Sequence, residues 1–279
     1  MNHNSQSSEI TLSGISKDEK DGQIVYFINE LSDDLKSEIR KRLVSICYGV
    51  DQAQSSRIVY SYKATVNEFI SRYKSDKNAS RERKKGLIGE LLVHVMVGVE
   101  GHFTHASPFF NLEERSFKKG FDIVLVDDVT KDIWITEVKS GEKQKSQANS
   151  SSAVVGLINT AKNDLNKRLN ENDGYLWHNA INAANCAMSK KSSQKDAVVE
   201  LLELYADRTY EQCNKSTDYN VVLAATLFHK MDEPVNVNKI TKKHSEITKD
   251  RLFKKVYLLV IQKETFEAVY DFLESEADT

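Results

Sequence analysis

Residues 133–141 read IWITEVKSG and combine a strand pattern with charged side chains. Side chains alternate between the two faces of a strand, which places four residues on one face: Ile133, Ile135, Glu137 and Lys139. The first half of this face is apolar and the second half is charged. The stretch therefore predicts a strand that begins in the core and ends in a site with charged side chains.

The preceding stretch, GFDIVLVDD, predicts the partner strand. When the two strands fold into a hairpin about Val129–Thr130, Val124 lies opposite Ile135. The same register places Asp122 opposite Glu137, and directly opposed side chains lie about 4.5–5.5 Å apart at their Cβ atoms. A shift by one residue would turn the apolar side chains away from the core, so this register is favoured.

Two opposed carboxylates repel each other, so a positive charge is expected between them. Lys139 can supply it, in which case Glu137 and Lys139 form an ordinary salt bridge. The other possibility is Mg²⁺, which favours hard oxygen ligands and commonly takes one or two carboxylates together with water and phosphate. Such a metal lowers the pKa of a bound water, and Lys139 would orient that water or stabilise a phosphate. The agreement of strands, turn and spacing favours the metal site.

A helix before the hairpin is expected to contribute a third carboxylate. The stretch GLIGELLVHVMV, residues 86–97, predicts an apolar helix that contains Glu90. Gly86 and Gly89 weaken a helix, but they would let it approach the sheet closely. We therefore expect Glu90 to bind the metal directly or through a water.

The order of predicted elements indicates an α/β fold with a mixed central sheet flanked by helices. Helical periodicity also occurs in four other stretches, namely 31–47, 57–75, 153–170 and 263–276. Continuous apolar runs at 221–228 and 256–262 predict strands covered on both faces. Residues 1–22 are polar, and no element is predicted there.

A polar, basic stretch near residue 80 is the best candidate for a domain boundary. We predict a mainly helical region over residues 1–80 that could dock a partner. The second domain would cover 81–279, with a helical insertion around 174–217.

Composition sets limits on the partners and the compartment. The formal net charge is −2, so any nucleic acid must be bound by local basic patches and not by a positive field of the whole protein. The three cysteines form no CxxC pair, and the first residues lack the basic and apolar regions of a secretory signal. We therefore expect a cytoplasmic protein with no membrane partner.

The residues above resemble a known superfamily. A helix glutamate, a Gly-Phe-Asp that opens one strand and a Glu-Val-Lys that closes the next are similar to the PD-(D/E)XK nucleases, with Phe121 in place of the nominal proline. More narrowly, KKGLIGELLVHVMV, KKGFDIVLV and WITEVKS resemble the HamA family, the effector subunits of the Hachiman anti-phage system. This resemblance is clearest over residues 84–142.

The resemblance implies a restriction-endonuclease-like core and a Mg²⁺-dependent DNA nuclease, with Mn²⁺ able to substitute. The implied catalytic residues are Asp122, Glu137, Lys139 and Glu90, and the implied metal ligands are Asp122, Glu137, Glu90 and Val138. It also implies a helicase partner, HamB, that restrains the nuclease until infection or DNA damage. The alternative is a catalytically silent module that binds nucleic acid or recruits a motor protein.

Other motifs have weaker functional interpretations. His94, His102 and His105 fit no familiar zinc spacing, and His94 is expected to be a buried, hydrogen-bonded residue. The basic runs at 81–85, 118–119 and 143–145 could contact DNA phosphates without reading sequence. Three tyrosines are candidate anchors for a partner, namely Tyr60, Tyr62 and Tyr205.

Overall fold

The computed structural model describes residues 12–75, 81–110 and 120–278. Within these ranges the strands are β1 (Ile15–Lys20), β2 (Gln23–Ile28), β3 (Phe103–His105), β4 (Ile123–Asp127), β5 (Ile133–Glu142), β6 (Asn220–Phe228) and β7 (Lys255–Lys263). The helices are α1 (Asp33–Tyr48), α2 (Val50–Ala53), α3 (Tyr62–Ser75), α4 (Arg81–Glu100), α5 (Ser150–Asn170), α6 (Gly174–Ala187), α7 (Ser193–Tyr210), α8 (Val237–Asp250) and α9 (Glu267–Asp278). Short 3₁₀ helices occur at Ile58–Tyr60 and Ser216–Asp218.

The strands form one mixed sheet in the order β1-β2-β7-β6-β5-β4-β3. The four central strands β2, β7, β6 and β5 run parallel to one another. β1 is antiparallel to β2 at one edge, and β4 and β3 continue antiparallel from β5 at the other. The predicted α/β class with a mixed central sheet flanked by helices is confirmed.

Alternation along the strands separates two apolar cores, one on each face of the sheet. Leu259 on β7 faces the core formed with α1, α3, α4 and α9, whereas its neighbour Leu258 faces the core formed with α5 to α8. The predicted strands at 221–228 and 256–262 are therefore covered on both faces, as expected for parallel strands. The fold is a three-layer sandwich with the sheet in the middle.

The first described strands were not predicted from the sequence. β1 and β2 pair around Asp21–Gly22, where Gly22 adopts a φ of +76°, a backbone conformation that favours glycine. β2 then pairs in parallel with β7, so residues from both predicted domains lie in one sheet. The domain boundary itself stays a prediction, and residues 76–80 lie outside the described ranges.

No described helix is both long enough and apolar enough to cross a membrane.

Candidate active site

The β4–β5 hairpin has the predicted register. Val124 pairs with Ile135, and the amide of Asp127 donates to the carbonyl of Asp132 at 3.0 Å. The turn is held by the Asp127 side chain, which accepts hydrogen bonds from the amides of Val129 and Thr130. This tight turn fixes which residues lie opposite each other at the open end of the hairpin.

Asp122 lies one residue before β4 and contacts β5 through its side chain. Its Oδ2 accepts a hydrogen bond of 2.8 Å from the amide of Val138. The side chain thus continues the pairing of the two strands where the backbone ladder has ended. The N–H and C=O groups of one residue in a strand point to the same side. The Val138 carbonyl therefore points toward Asp122 as well.

Glu137 is nearly inaccessible, with 4% of its side chain exposed, and two cations balance its charge. One carboxylate oxygen, Oε1, accepts a hydrogen bond of 2.8 Å from the Lys139 ammonium. The other oxygen, Oε2, is contacted by the guanidinium of Arg168. The positive charge expected beside this carboxylate is therefore present, and it comes from two side chains.

Helix α5 supplies two residues that sequence reasoning missed. Asp164 pairs with Lys139 at 2.8 Å, and Arg168, one turn later, donates to the Gly120 carbonyl at 3.2 Å. Burial lowers the pKa of Arg168, although the charge of Asp122 opposes this shift. Arg168 directly precedes the buried Leu169 in α5. The sequence signal that could have identified Arg168 is therefore its place beside the apolar face of this helix.

Helix α4 approaches the sheet closely at one of its two glycines. A Cβ atom on Gly89 would overlap the Ser140 hydroxyl oxygen, so the predicted close approach is confirmed there. A Cβ atom on Gly86 would meet no heavy atom of the described chain within 4 Å. The packing role predicted for Gly86 is therefore wrong.

The predicted site residues line one cavity of about 650 Å³ between α4, α5, α6 and the open end of the hairpin. Its charged and polar lining includes Glu90, Asp122, Glu137, Lys139, Arg168 and Asn179. A second part of the wall is aromatic and contains Phe69, Phe109, Phe110 and Phe121. The cavity is wide enough for a group the size of a nucleotide.

The donor set of this cavity suits a hard divalent cation. Among the described residues, no cluster of three or more His, Cys, Asp or Glu side chains is arranged to hold a metal ion. Mg²⁺ commonly takes only one or two carboxylates, with water completing its shell. Asp122, Glu137 and the Val138 carbonyl could therefore hold one, and Glu90 lines the same cavity without completing such a cluster.

Two residues of the basic run at 81–85 pair with a carboxylate of the protein. Lys85 is fully buried and contacts Glu142 at 3.0 Å, and Arg81 contacts the same carboxylate at 2.7 Å. Arg83 lines the cavity. Of this run, Arg83 is the basic residue that lies closest to the candidate site.

The basic run at 143–145 does not line the cavity, and Lys118 and Lys119 of the run at 118–119 lie outside the described residues. Lys143 pairs with Glu233 at 3.6 Å, and Lys145 is exposed. Contact of these runs with DNA phosphate stays a prediction.

The histidines form a buried aromatic contact. The rings of His94 and His105 stack with their centroids 4.9 Å apart. Burial lowers the pKa of His94 well below its ordinary value and that of His105 to about 4, so both rings are neutral near pH 7. Neither nitrogen of His94 has a hydrogen-bond partner among the described residues. The predicted burial of His94 is confirmed, and the predicted hydrogen bond is not found among the described residues.

The fold and cavity define an α/β protein in which two opposed acidic side chains meet a lysine and an arginine at the end of a hairpin. The chain belongs to the HamA family, because the HamA family model matches residues 4–277, nearly the whole sequence. This membership supports a role as a subunit of the Hachiman anti-phage defence system. No curated protein matches the sequence.

Proposed function

We propose that this protein is a metal-dependent DNA nuclease that hydrolyses phosphodiester bonds as an effector of anti-phage defence. One observation carries the proposal: Asp122, Glu137 and Lys139 line the same cavity, with Asp122 bonded to the backbone beside Glu137. HamA family membership supports it, because it links the chain to antiviral defence.

The proposed roles follow from the chemistry of each side chain. Asp122, Glu137 and the Val138 carbonyl would hold Mg²⁺, and Glu90 would bind the metal or a water. The metal, when bound, would activate a water and neutralise charge on the scissile phosphate. Lys139 is a compact ammonium held between Glu137 and Asp164, which positions it to orient that water or to stabilise the phosphate.

The experiment is a cleavage assay with purified full-length protein. Plasmid, linear duplex and single-stranded DNA are each incubated with Mg²⁺, Mn²⁺, Ca²⁺ or excess EDTA. Mg²⁺ and Mn²⁺ should support cleavage, whereas Ca²⁺ should support little, because its looser coordination holds water and phosphate poorly. Cleavage that persists at full rate in EDTA would contradict the metal mechanism.

The contacts of Glu137 also favour a second candidate function, that of a silent nucleic-acid-binding or adaptor subunit. Both oxygens of its carboxylate already have cationic partners, so the residues are stable as a set of ion pairs. A silent module would bind DNA with equal affinity in Mg²⁺ and EDTA and would cut none of the three substrates. The same assay, combined with a binding measurement, separates the two functions.

The second part of the proposal is restraint by a helicase partner, HamB. Tyr60, Tyr62 and Tyr205, the anchors expected from the sequence, are half-buried because their rings pack inside the protein. Tyr60 contacts Tyr48, for example, with ring centroids 5.3 Å apart. Ile58, two residues before Tyr60, is 86% exposed and is a better candidate anchor.

The docking test uses point variants of the full-length chain. Removing residues 1–75 would delete β2 and helices α1 and α3, which form part of the core, so a truncated chain would not fold. Ile58→Asp should instead reduce co-purification with HamB while the protein stays folded. Val129→Asp, at an equally exposed apolar residue on the hairpin turn, is the matched control. Equal recovery of HamB by both variants would rule out docking at Ile58.

A further inference from the structure

Arg168 holds the carboxylate oxygen that a metal would need. Glu137 is the most deeply buried acidic residue that lines the cavity, and its two oxygens are each engaged, Oε1 by Lys139 and Oε2 by Arg168. A divalent cation that binds this carboxylate must either share it with two cations or displace one of them. The arrangement therefore includes a competitor for the metal within the protein itself.

The contacts of the two cations indicate which one withdraws. Lys139 is held by two carboxylates, because Asp164 on α5 pairs with it at 2.8 Å in addition to Glu137. Arg168 also donates a hydrogen bond of 3.2 Å to the neutral carbonyl of Gly120. Its Nε atom has no hydrogen-bond partner among the described residues. Without Glu137, Lys139 still has a carboxylate partner at 2.8 Å, whereas Arg168 has the Gly120 carbonyl and the attraction of the Asp122 charge.

The charges lead to the same conclusion. A carboxylate as buried as Glu137 needs a counter-cation, and an arginine fork satisfies it well. A divalent cation and the Arg168 guanidinium would repel each other strongly on the same carboxylate oxygen. We therefore expect only one of them to occupy this position at a time. The Arg168 side chain is about a quarter exposed, which leaves it a path toward the open part of the cavity.

We propose that Arg168 is the internal counter-cation of Glu137, and that it must leave this carboxylate for a divalent cation to bind. The inference rests on the metal-dependent function proposed above and adds a form of restraint to the same site. While Arg168 pairs with Glu137 it keeps the site closed to metal, and Asp164 keeps Lys139 in place when Arg168 moves. Arg168 is a positioning residue in this scheme, since it acts through Glu137.

The test is a titration of the full-length protein with Mn²⁺ in the absence of DNA, followed by calorimetry or by the signal of free Mn²⁺ in electron paramagnetic resonance. Arg168→Gln should bind Mn²⁺ at least about tenfold more tightly than the wild type, because the competitor is gone. Lys167→Gln is the matched control: it removes the same charge from the adjacent, largely exposed residue of α5, and its affinity should stay within about twofold of the wild type. Affinity of Arg168→Gln equal to or weaker than that of the wild type would overturn the proposal.

A second variant keeps the test decisive if Arg168→Gln fails to fold, which its thermal unfolding curve would show. Arg168→Lys keeps the charge but lacks the planar fork that reaches both Glu137 and the Gly120 carbonyl. It should bind Mn²⁺ at least about threefold more tightly than the wild type. Unchanged affinity would mean that the identity of the side chain is irrelevant, and the proposal would be rejected.

The metal titration and the cleavage assay can fail separately. Mg²⁺-dependent cleavage together with unchanged Mn²⁺ affinity in both Arg168 variants would retain the nuclease and reject the counter-cation. Tighter Mn²⁺ binding by the variants without cleavage of any substrate would retain the counter-cation and reject the nuclease.

Discussion

Two glutamates on β5 have the same kinds of partner and different surroundings. Glu137 is paired with Lys139 and Arg168, and Glu142, five residues later, is paired with Lys85 and Arg81. Glu137 has 4% of its side chain exposed and lines a cavity, whereas Glu142 has 33% exposed. An acidic residue with one lysine and one arginine is therefore not in itself the mark of a site. The distinguishing features are the second carboxylate, that of Asp122, and the open space beside Glu137.

The comparison is tested most strongly by replacing each glutamate with glutamine. Glu137→Gln should reduce DNA cleavage by on the order of 10³-fold, because a neutral amide cannot hold the proposed metal. Glu142→Gln should leave the cleavage rate within about twofold of the wild type. The measurement is the rate of plasmid nicking per folded molecule. Equal losses in the two variants would show that the two ion-pair groups do not differ in function.

The two lysines should separate stability from activity. Lys85 is fully buried, so Lys85→Met should lower the free energy of unfolding by about 1 kcal/mol by leaving Glu142 with one cation fewer. Its cleavage rate, measured on the folded fraction, should be unchanged.

Lys139 should behave in the opposite way. Lys139→Met should abolish cleavage with a smaller loss of stability, because this side chain is partly exposed. Lys139→Arg should also be inactive, since a planar fork does not replace a compact ammonium. The measurements are denaturant unfolding and the nicking assay on the wild type, Lys85→Met, Lys139→Met and Lys139→Arg. An active Lys139→Arg would argue against a specific role for the ammonium.

The smallest expected effect is the loss of stability at acidic pH. Arg81, followed by Lys85, lowers the pKa of Glu142 in the folded protein. The folded state thus binds fewer protons than the unfolded state, and this ion pair stabilises the protein above pH 4.5 and is lost as the pH falls below it. The contribution should be no more than about 1 kcal/mol, since Glu142 is partly exposed to solvent.

The measurement is urea unfolding at pH 7 and pH 3.5. Glu142→Gln should be less stable than the wild type at pH 7, and the difference should be smaller at pH 3.5. A difference that stays constant would mean that Glu142 contributes through packing and not through its charge.

The hairpin and its register were predictable because they depend on local alternation. Val124 and Ile135 must face the same core, and a short turn links their strands, so few alternatives exist. The continuous apolar runs of β6 and β7 were predictable for a similar reason, since both of their faces are buried. These are properties of short stretches of sequence.

The missed features depend on distant partners. β1 is polar, and its neighbour β2 pairs in parallel with β7, which lies more than 200 residues later in the sequence. The turn Asp21-Gly22 between β1 and β2 is nevertheless a recognisable hairpin signal. Helix α8 was missed because only Ile240 and Ile247 of its residues are buried. Arg168 was missed because an arginine on an amphipathic helix has the same pattern whether it faces solvent or a carboxylate. Sequence periodicity identifies the face of the helix or strand on which a residue lies, but not the side chain that the residue contacts.

The pairing of β2 with β7 has a consequence for how the chain is made. The first residue of β2, Gln23, and the first residue of β7, Lys255, are 232 positions apart (255 − 23). At roughly 5–20 residues per second, the ribosome needs roughly 10 to 50 s after the synthesis of β2 to reach β7. β5 likewise cannot pair with β6 until β6 has been synthesised, and β6 in turn pairs with β7. A nascent chain therefore carries the hairpin with Asp122 and Glu137 for some time before the sheet that supports it can form, and the complete sheet requires that β7 has been synthesised.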